Sequence, residues 1–337
     1  MKKQNPHLIE RQKKENIRLR NKVAFFPSQP VYTYYPFHLP VAFDFHNKRM
    51  RNATLKAINS LKEMPQGKRP YFDFSEVDTL SSMATIHFTQ MLEKYSTVVC
   101  RGKHSKSPIV SGMLSKLKVY NRLNIKETNS KHDLVDRWYT FSGENADFGD
   151  EYDAIENVLK EKFGEDSITF DVINTAICEA VINVVNHAYD ESDKYRKWNL
   201  FLAIKPDRCA VVISDLGKTI PQSIPTKIND LMLKDIFNFE SWFGLNDQEK
   251  IEIATNYQRT STNLSYRGKG FQDMKQVCEE VEGSTMMVHS RKGYWAKGYS
   301  KFEKNLDKKA NYKSQVNGTI ISWLIPLNDS TIQLANA

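Results

Sequence analysis

Apolar residues recur along the chain with two different periods. The runs Pro40-Val41-Ala42-Phe43, Tyr71-Phe72-Asp73-Phe74 and Thr97-Val98-Val99-Cys100 are short and rich in aromatic and β-branched residues, so they read as strands. Between and after them the spacing is helical, predicting helices near 52–61, 82–93 and 110–117. Strands alternating with helices describe a small α/β unit around one sheet. The stretch 120–149 is polar and carries no clear period, which places a junction there. The second half opens with helical spacing over 152–163 and 170–187. Strand-like runs follow at 198–204, 209–214, 285–289, 293–297 and 319–325, with a helix near 271–281. Helices first and a mostly antiparallel sheet afterwards make an α+β pattern. There is no internal repeat and no low-complexity tract.

The stretch 170–188, FDVINTAICEAVINVVNHA, is apolar almost all the way round a helical wheel. Thr175, Glu179, Asn183, Asn186 and His187 share a sector of about 120°. A polar stripe on a buried helix requires partners, because an unsatisfied buried polar group costs about 1–3 kcal/mol. The stripe is therefore expected to face a polar cavity or ligand. A carboxylate at Glu179 with an amide one turn later suits a general base beside an oxygen ligand for a hard cation such as Mg2+. A polar seam between the two halves is the other reading.

Composition sets the limits. The 337 residues are 40% hydrophobic and 26% charged, enough to fill cores for about two domains. No run of about 18–20 consecutive apolar residues is present, and Met1-Lys2-Lys3-Gln4-Asn5 lacks the apolar centre of a secretion signal, so a cytoplasmic location away from membranes is expected. The four cysteines, Cys100, Cys178, Cys209 and Cys278, form no metal-ligand spacing and read as free thiols, mostly buried. Of the formal charge of +8, most lies in residues 1–22, where Lys2, Lys3, Arg11, Lys13, Lys14, Arg18, Arg20 and Lys22 face only Glu10 and Glu15. Such an arm either grips nucleic acid phosphates or stays solvated or docked on a partner. The lysines from Lys297 to Lys313 read as an exposed hairpin loop.

Four segments together carry a resemblance. Glu179-Ala-Val-Ile-Asn183-Val-Val-Asn-His187-Ala is similar to the N-box of the GHKL superfamily, the Bergerat-fold ATPases, and is most similar to that of the anti-sigma-factor serine kinases. Val211-Val-Ile-Ser-Asp215-Leu-Gly217-Lys-Thr-Ile220-Pro221 resembles that family's DxGxGI box, with Thr219 in place of the second glycine. Ser265-Tyr-Arg267-Gly268-Lys269-Gly270-Phe271 resembles the second glycine box at a helix start, where backbone N–H groups favour phosphate. Gly318-Thr319-Ile-Ile-Ser-Trp-Leu-Ile-Pro326 resembles the last strand, whose Thr lies near adenine. The resemblance implies that Asn183 holds Mg2+, Asp215 reads adenine, Glu179 activates the acceptor, and His187, Gly217, Ile220, Arg267, Gly268, Lys269, Gly270, Phe271 and Thr319 line the nucleotide. It also implies that 222–267 is an ATP lid, with Gln258-Arg259-Thr260-Ser261 reaching the γ-phosphate.

In the first half, Tyr71-Phe-Asp-Phe74-Ser75-Glu-Val-Asp78-Thr-Leu80-Ser81-Ser82-Met83-Ala84 resembles the central strand and loop of STAS domains, the anti-sigma antagonist fold. Ser82 takes the phosphoacceptor position; Ser81 and Ala84 replace that family's Asp and Gly. Ser81 and Ser82 read equally as caps of the helix that follows. The expected architecture is thus a basic arm (1–30), a STAS-like α/β domain (31–120), a linker (121–148) and a Bergerat-fold α/β sandwich with an ATP lid (149–337). The implied function is an Mg-ATP-hydrolysing conformational switch in a regulatory or defence pathway. A serine/threonine protein kinase of the anti-sigma type is the alternative, and a nucleotide sensor held on nucleic acid by its basic arm is a third. A protein partner is implied, and whether the chain forms a homodimer is left open.

Overall fold

The computed structural model describes residues 34–63, 68–95, 101–128, 137–223, 242–256, 270–299 and 306–327. The first unit has two small parallel sheets. Strand β1 (Tyr34–Phe37) pairs with β3 (Arg69–Asp73), which pairs with β5 (Arg101–Lys103); β2 (Ala42–Phe43) pairs with β4 (Thr79–Leu80). Helices α1 (Lys48–Asn59), α2 (Ser82–Tyr95), α3 (Pro108–Lys116) and α4 (Val119–Arg122) accompany them. Local chemistry starts these helices: the Asn47 side chain accepts from the amides of Arg49 and Met50, and Ser107 precedes a proline at the first turn of α3. Phe72, Phe74, Phe88 and Tyr120 pack edge to face in the unit's core.

The second unit is a seven-stranded antiparallel sheet of order β11-β10-β9-β12-β8-β7-β6. Its strands are β6 (Trp138–Gly143), β7 (Trp198–Ile204), β8 (Arg208–Asp215), β9 (Thr285–Ser290), β10 (Gly293–Gly298), β11 (Leu306–Asn311) and β12 (Thr319–Pro326). Helices α5 (Asp153–Phe163), α6 (Ile168–His187) and α9 (Gly270–Glu280) cover one face. Two short pieces complete the unit, α7 (Ile220–Ser223) and α8 (Asp247–Asn256). The chain is therefore mixed α/β: a small parallel region with helices, then a seven-stranded antiparallel sheet packed against helices.

Both faces of the large sheet are buried. Leu200, Val211, Ile213 and Ile321 point to the side of α6, where Ile173, Ile177 and Val181 meet them. Phe201, Val212, Met287 and Ile320 point the other way and share one core with Met83, Phe88 and Met91 of α2. The first unit is thus the second layer over the sheet, which is why every residue of β7 is buried.

Several boundaries differ from the sequence reading. Residues 138–143, read as polar junction, form the edge strand β6, whose Trp138 stacks at right angles on Phe201. Part of the lysine-rich stretch, read as a loop, is the opposite edge strand β11. Its adjacent lysines, Lys308 and Lys309, are both exposed, and charged side chains of this kind protect a sheet edge from further pairing. Helix α6, 20 residues long, has the length and composition of a membrane span. Its apolar side is filled by the sheet and α9, making it a core helix.

Candidate functional site

Helix α6 is the rail on which the site is built. Ser167 caps its start by accepting from the Phe170 amide at 3.0 Å. From there the apolar face lies on the sheet, and the polar stripe runs along the flank where α9 begins. Thr175, Asn186 and His187 are exposed, whereas Glu179 and Asn183 are half-buried. Asn183 Nδ2 donates to the Glu179 carbonyl oxygen at 2.9 Å, which fixes the amide along the helix. Gly270, first residue of α9, packs on this pair. A Cβ there would stand 2.8 Å from Glu179 Oε2 and 3.0 Å from Asn183 Nδ2, so only glycine leaves the two side chains in place. Burial and the nearby charge of Asp273, in the first turn of α9, raise the Glu179 carboxyl above its usual pKa.

The C-terminal end of α6 meets a second cluster. Asp215 ends β8 and is buried, with Oδ1 accepting from the Gly217 amide at 2.8 Å. The Thr319 amide also stabilises its charged form, yet desolvation outweighs both and pushes the carboxyl up to about 7. The turn after it is tight. A Cβ on Gly217 would lie 2.7 Å from the Ala188 carbonyl carbon, and the Lys218 amide donates to the Ala188 oxygen at 2.5 Å. Gly318, with φ +73°, brings the start of β12 against Asp215, where a Cβ would fall 2.7 Å from Oδ1. Ser290 ties the rim together: its hydroxyl accepts from the Ile220 amide at 2.9 Å and bonds Thr319 Oγ1 at 2.9 Å. Thr219 bonds Gln222 Oε1 through both its amide and its hydroxyl.

The structure therefore gathers the sequence-selected residues into two adjoining groups along α6. Glu179 and Asn183 stand with Gly270 and the half-buried Phe271; Asp215, Gly217, Ile220 and Thr319 stand at the helix end. His187 lies in the last exposed turn of α6. Arg267, Gly268, Lys269, the 258–261 segment and the basic arm lie outside the described residues. Within the stretch expected to be a free lid, residues 247–256 form the docked helix α8. Ile251 is buried, and Asp247 accepts from the Lys292 amide at 3.1 Å, so apolar burial holds this part on the sheet edge.

Sequence reasoning missed Asp273 and Ser290. Asp273 lies in the first turn of α9, where an acidic residue three positions after Gly270 was visible. Ser290 ends an unremarkable strand, and only the pairing with Thr319 shows its place. Ser82 begins α2, half-buried, on the far face of the sheet. The Ser81 hydroxyl is buried and has no hydrogen-bond partner among the described residues, so Ser81 does not cap α2 with its side chain. No protein-family model matches the chain, and no curated protein matches it.

Proposed function

We propose that this protein binds Mg-ATP along α6 and hydrolyses it as a conformational switch, in the manner of the GHKL ATPases. The observation that carries the reading is the contact of Gly270 with Glu179 and Asn183. It sets a helix N-terminus, favourable to phosphate, beside a carboxylate whose proton affinity is raised. Adenine would sit at the other end, its amino group donating to Asp215 and its edge near Thr319, with Gly217 and Gly318 giving the backbone room.

The donor set suits Mg2+. The Asn183 amide and the carboxylates of Glu179 and Asp273 are hard oxygen groups. Among the described residues no cluster of three acidic, His or Cys side chains forms a ready-made metal cage. The cation would therefore arrive with the nucleotide, as Mg2+ usually does, and supply charge neutralisation at the phosphates. Asn183 would orient the phosphates. Glu179 would take a proton from the attacking water as its oxygen bonds to the γ-phosphorus and the bond to the β–γ bridging oxygen breaks.

The fold favours water over Ser82 as acceptor within one molecule. Ser82 opens α2 on one face of the sheet, and Glu179 stands on the other. A kinase acting on Ser82 would have to work between molecules. The test is incubation with Mg2+ and γ-labelled ATP beside Glu179→Ala, following free phosphate and label retained on protein. Free phosphate lost in the variant supports the switch, whereas label on Ser82 or on an added protein would support the kinase. Neither product, and no binding of ATP by calorimetry, would end the nucleotide reading.

A further inference from the structure

The first unit does more than cover the sheet. Helix α2 grips the chain at the end of β8, holding the residues on both sides of Asp215. Gln90, fully buried, donates from Nε2 to the Ser214 carbonyl at 2.7 Å, and Ser214 Oγ donates back to Gln90 Oε1 at 2.6 Å. One turn later, Lys94 Nζ donates to the Leu216 carbonyl at 3.3 Å. Along a strand, successive side chains point to opposite faces. Holding Ser214 and Leu216 toward α2 therefore turns the carboxylate between them toward the α6 face. Three observations set Gln90 apart from an ordinary packing residue. It is a polar side chain in an apolar interface, both ends of its amide are used, and both bonds go to the residue next to the buried acid. An amide in such a place costs desolvation that only this geometry offsets.

We infer that Gln90 is a positioning residue for Asp215, and that Lys94 beside it supplies the fixed positive charge under the adenine end of the site. The inference rests on the nucleotide reading given above. It makes the first unit a working part of that site: α2 sets where the carboxylate stands, and nucleotide binding in turn strengthens the docking of α2, since coupling between sites is reciprocal. Burial opposes the charge of both groups; the Lys94 ammonium, which also faces Asp193, favours the charged form of Asp215, and the hydroxyls of Tyr189 and Tyr195 stand near the same carboxylate.

The experiment is calorimetric titration of the full chain with Mg-ATP, Mg-GTP and inorganic tripolyphosphate, using wild type, Gln90→Met and Lys94→Gln. Gln90→Met is expected to bind ATP about 10-fold more weakly and to lose most of its preference for ATP over GTP, with tripolyphosphate binding unchanged. Lys94→Gln is expected to move the pH at which ATP binding is gained upward. This second readout stands if Gln90→Met fails to fold. Unchanged ATP affinity and ATP/GTP ratio in Gln90→Met, even with a lower melting temperature, would overturn the role and leave Gln90 as a structural clamp. An unmoved pH profile in Lys94→Gln would overturn the part given to Lys94. If wild type itself binds no ATP, the nucleotide reading fails and this inference falls with it, whereas wild-type binding with unaltered variants defeats this inference alone.

Discussion

Asp273, in the first turn of α9, faces Glu179 on α6, and its charge adds to the larger effect of burial in raising the Glu179 carboxyl above its usual pKa. Like charges so placed hold a proton or attract a cation. Removing Asp273 lowers the proton affinity of Glu179. In Asp273→Asn the acid limb of the pH–rate profile for phosphate release should therefore move to lower pH, with the plateau rate reduced by less than in Glu179→Gln. Glu179→Gln should lower hydrolysis by about 100-fold or more while retaining ATP binding. A profile that does not move in Asp273→Asn would show that the pair does not act together.

Asp215 gives a second pH signature of opposite consequence for stability and for binding. Its folded pKa, near 7, lies above that of an unfolded aspartate, so the native state holds the extra proton between about 4 and 7. Its contribution to stability is present at low pH and is lost as pH rises through about 7. ATP affinity should do the reverse, because the ionised carboxylate is the better acceptor for an adenine amino group. Asp215→Asn should melt higher than wild type at pH 8, by an amount on the order of a few kcal/mol in stability, and yet bind ATP at least 10-fold more weakly. Melting curves and titrations at pH 5.5, 7 and 8 measure both.

Gly270 and Gly217 should fail in different ways. A Cβ on Gly270 meets the far ends of two flexible side chains, which can swing aside. Gly270→Ala should fold with nearly the wild-type melting temperature and lose on the order of 10–100-fold in hydrolysis, because Glu179 and Asn183 are displaced. A Cβ on Gly217 meets the backbone of Ala188 instead. Gly217→Ala should lose about 1–3 kcal/mol of stability, seen as a lowered denaturation midpoint. Equal stability losses in both would contradict this assignment of the two glycines.

Much of the second unit was legible because its signals are local. Residues 198–204 read as a strand and are β7 as observed, and 170–187 is the greater part of α6. The glycine positions came from motif order, and Gly217, Gly270 and Gly318 all stand at close backbone or side-chain approaches. What escaped was long-range. Strands β6 and β11 carry polar residues on their open faces, so their alternation is weak; partner strands define them. The Gln90–Ser214 bonds join residues 124 positions apart, and no spacing announces them. One clue to that contact was present in the composition of β7 and β8. Their near-continuous apolar runs mean that both faces are covered, and the first unit is what covers the second face.

The interface between the two layers carries its own acid sensitivity. His87 on α2 and His289 on β9 are both fully buried, their ring nitrogens have no hydrogen-bond partner among the described residues, and each flanks the Phe45 ring. Around them lie the exposed His46, the buried Arg51 with its guanidinium 3.6 Å above the Tyr312 ring, the ring of Tyr294, and the more distant ammonium of Lys62. Burial holds His87 down to about 3 and His289 well below its usual pKa, with Arg51 and the other histidines adding to the effect on His289. Both are neutral in the folded chain, while the unfolded chain takes up protons below about 6.5. The folded pKa values are depressed, so stability is complete above pH 6.5 and falls as pH drops from there toward 3. The slope is about 1.4 kcal/mol per pH unit for each proton excluded. Asp215 acts in the opposite direction over part of this range, so single variants must separate them. His87→Phe should flatten the fall in melting temperature between pH 6.5 and 4.5, and in the Asp215→Asn background the fall should be steeper than in wild type. A slope unaltered by His87→Phe and by His289→Phe would place the acid sensitivity elsewhere in the fold.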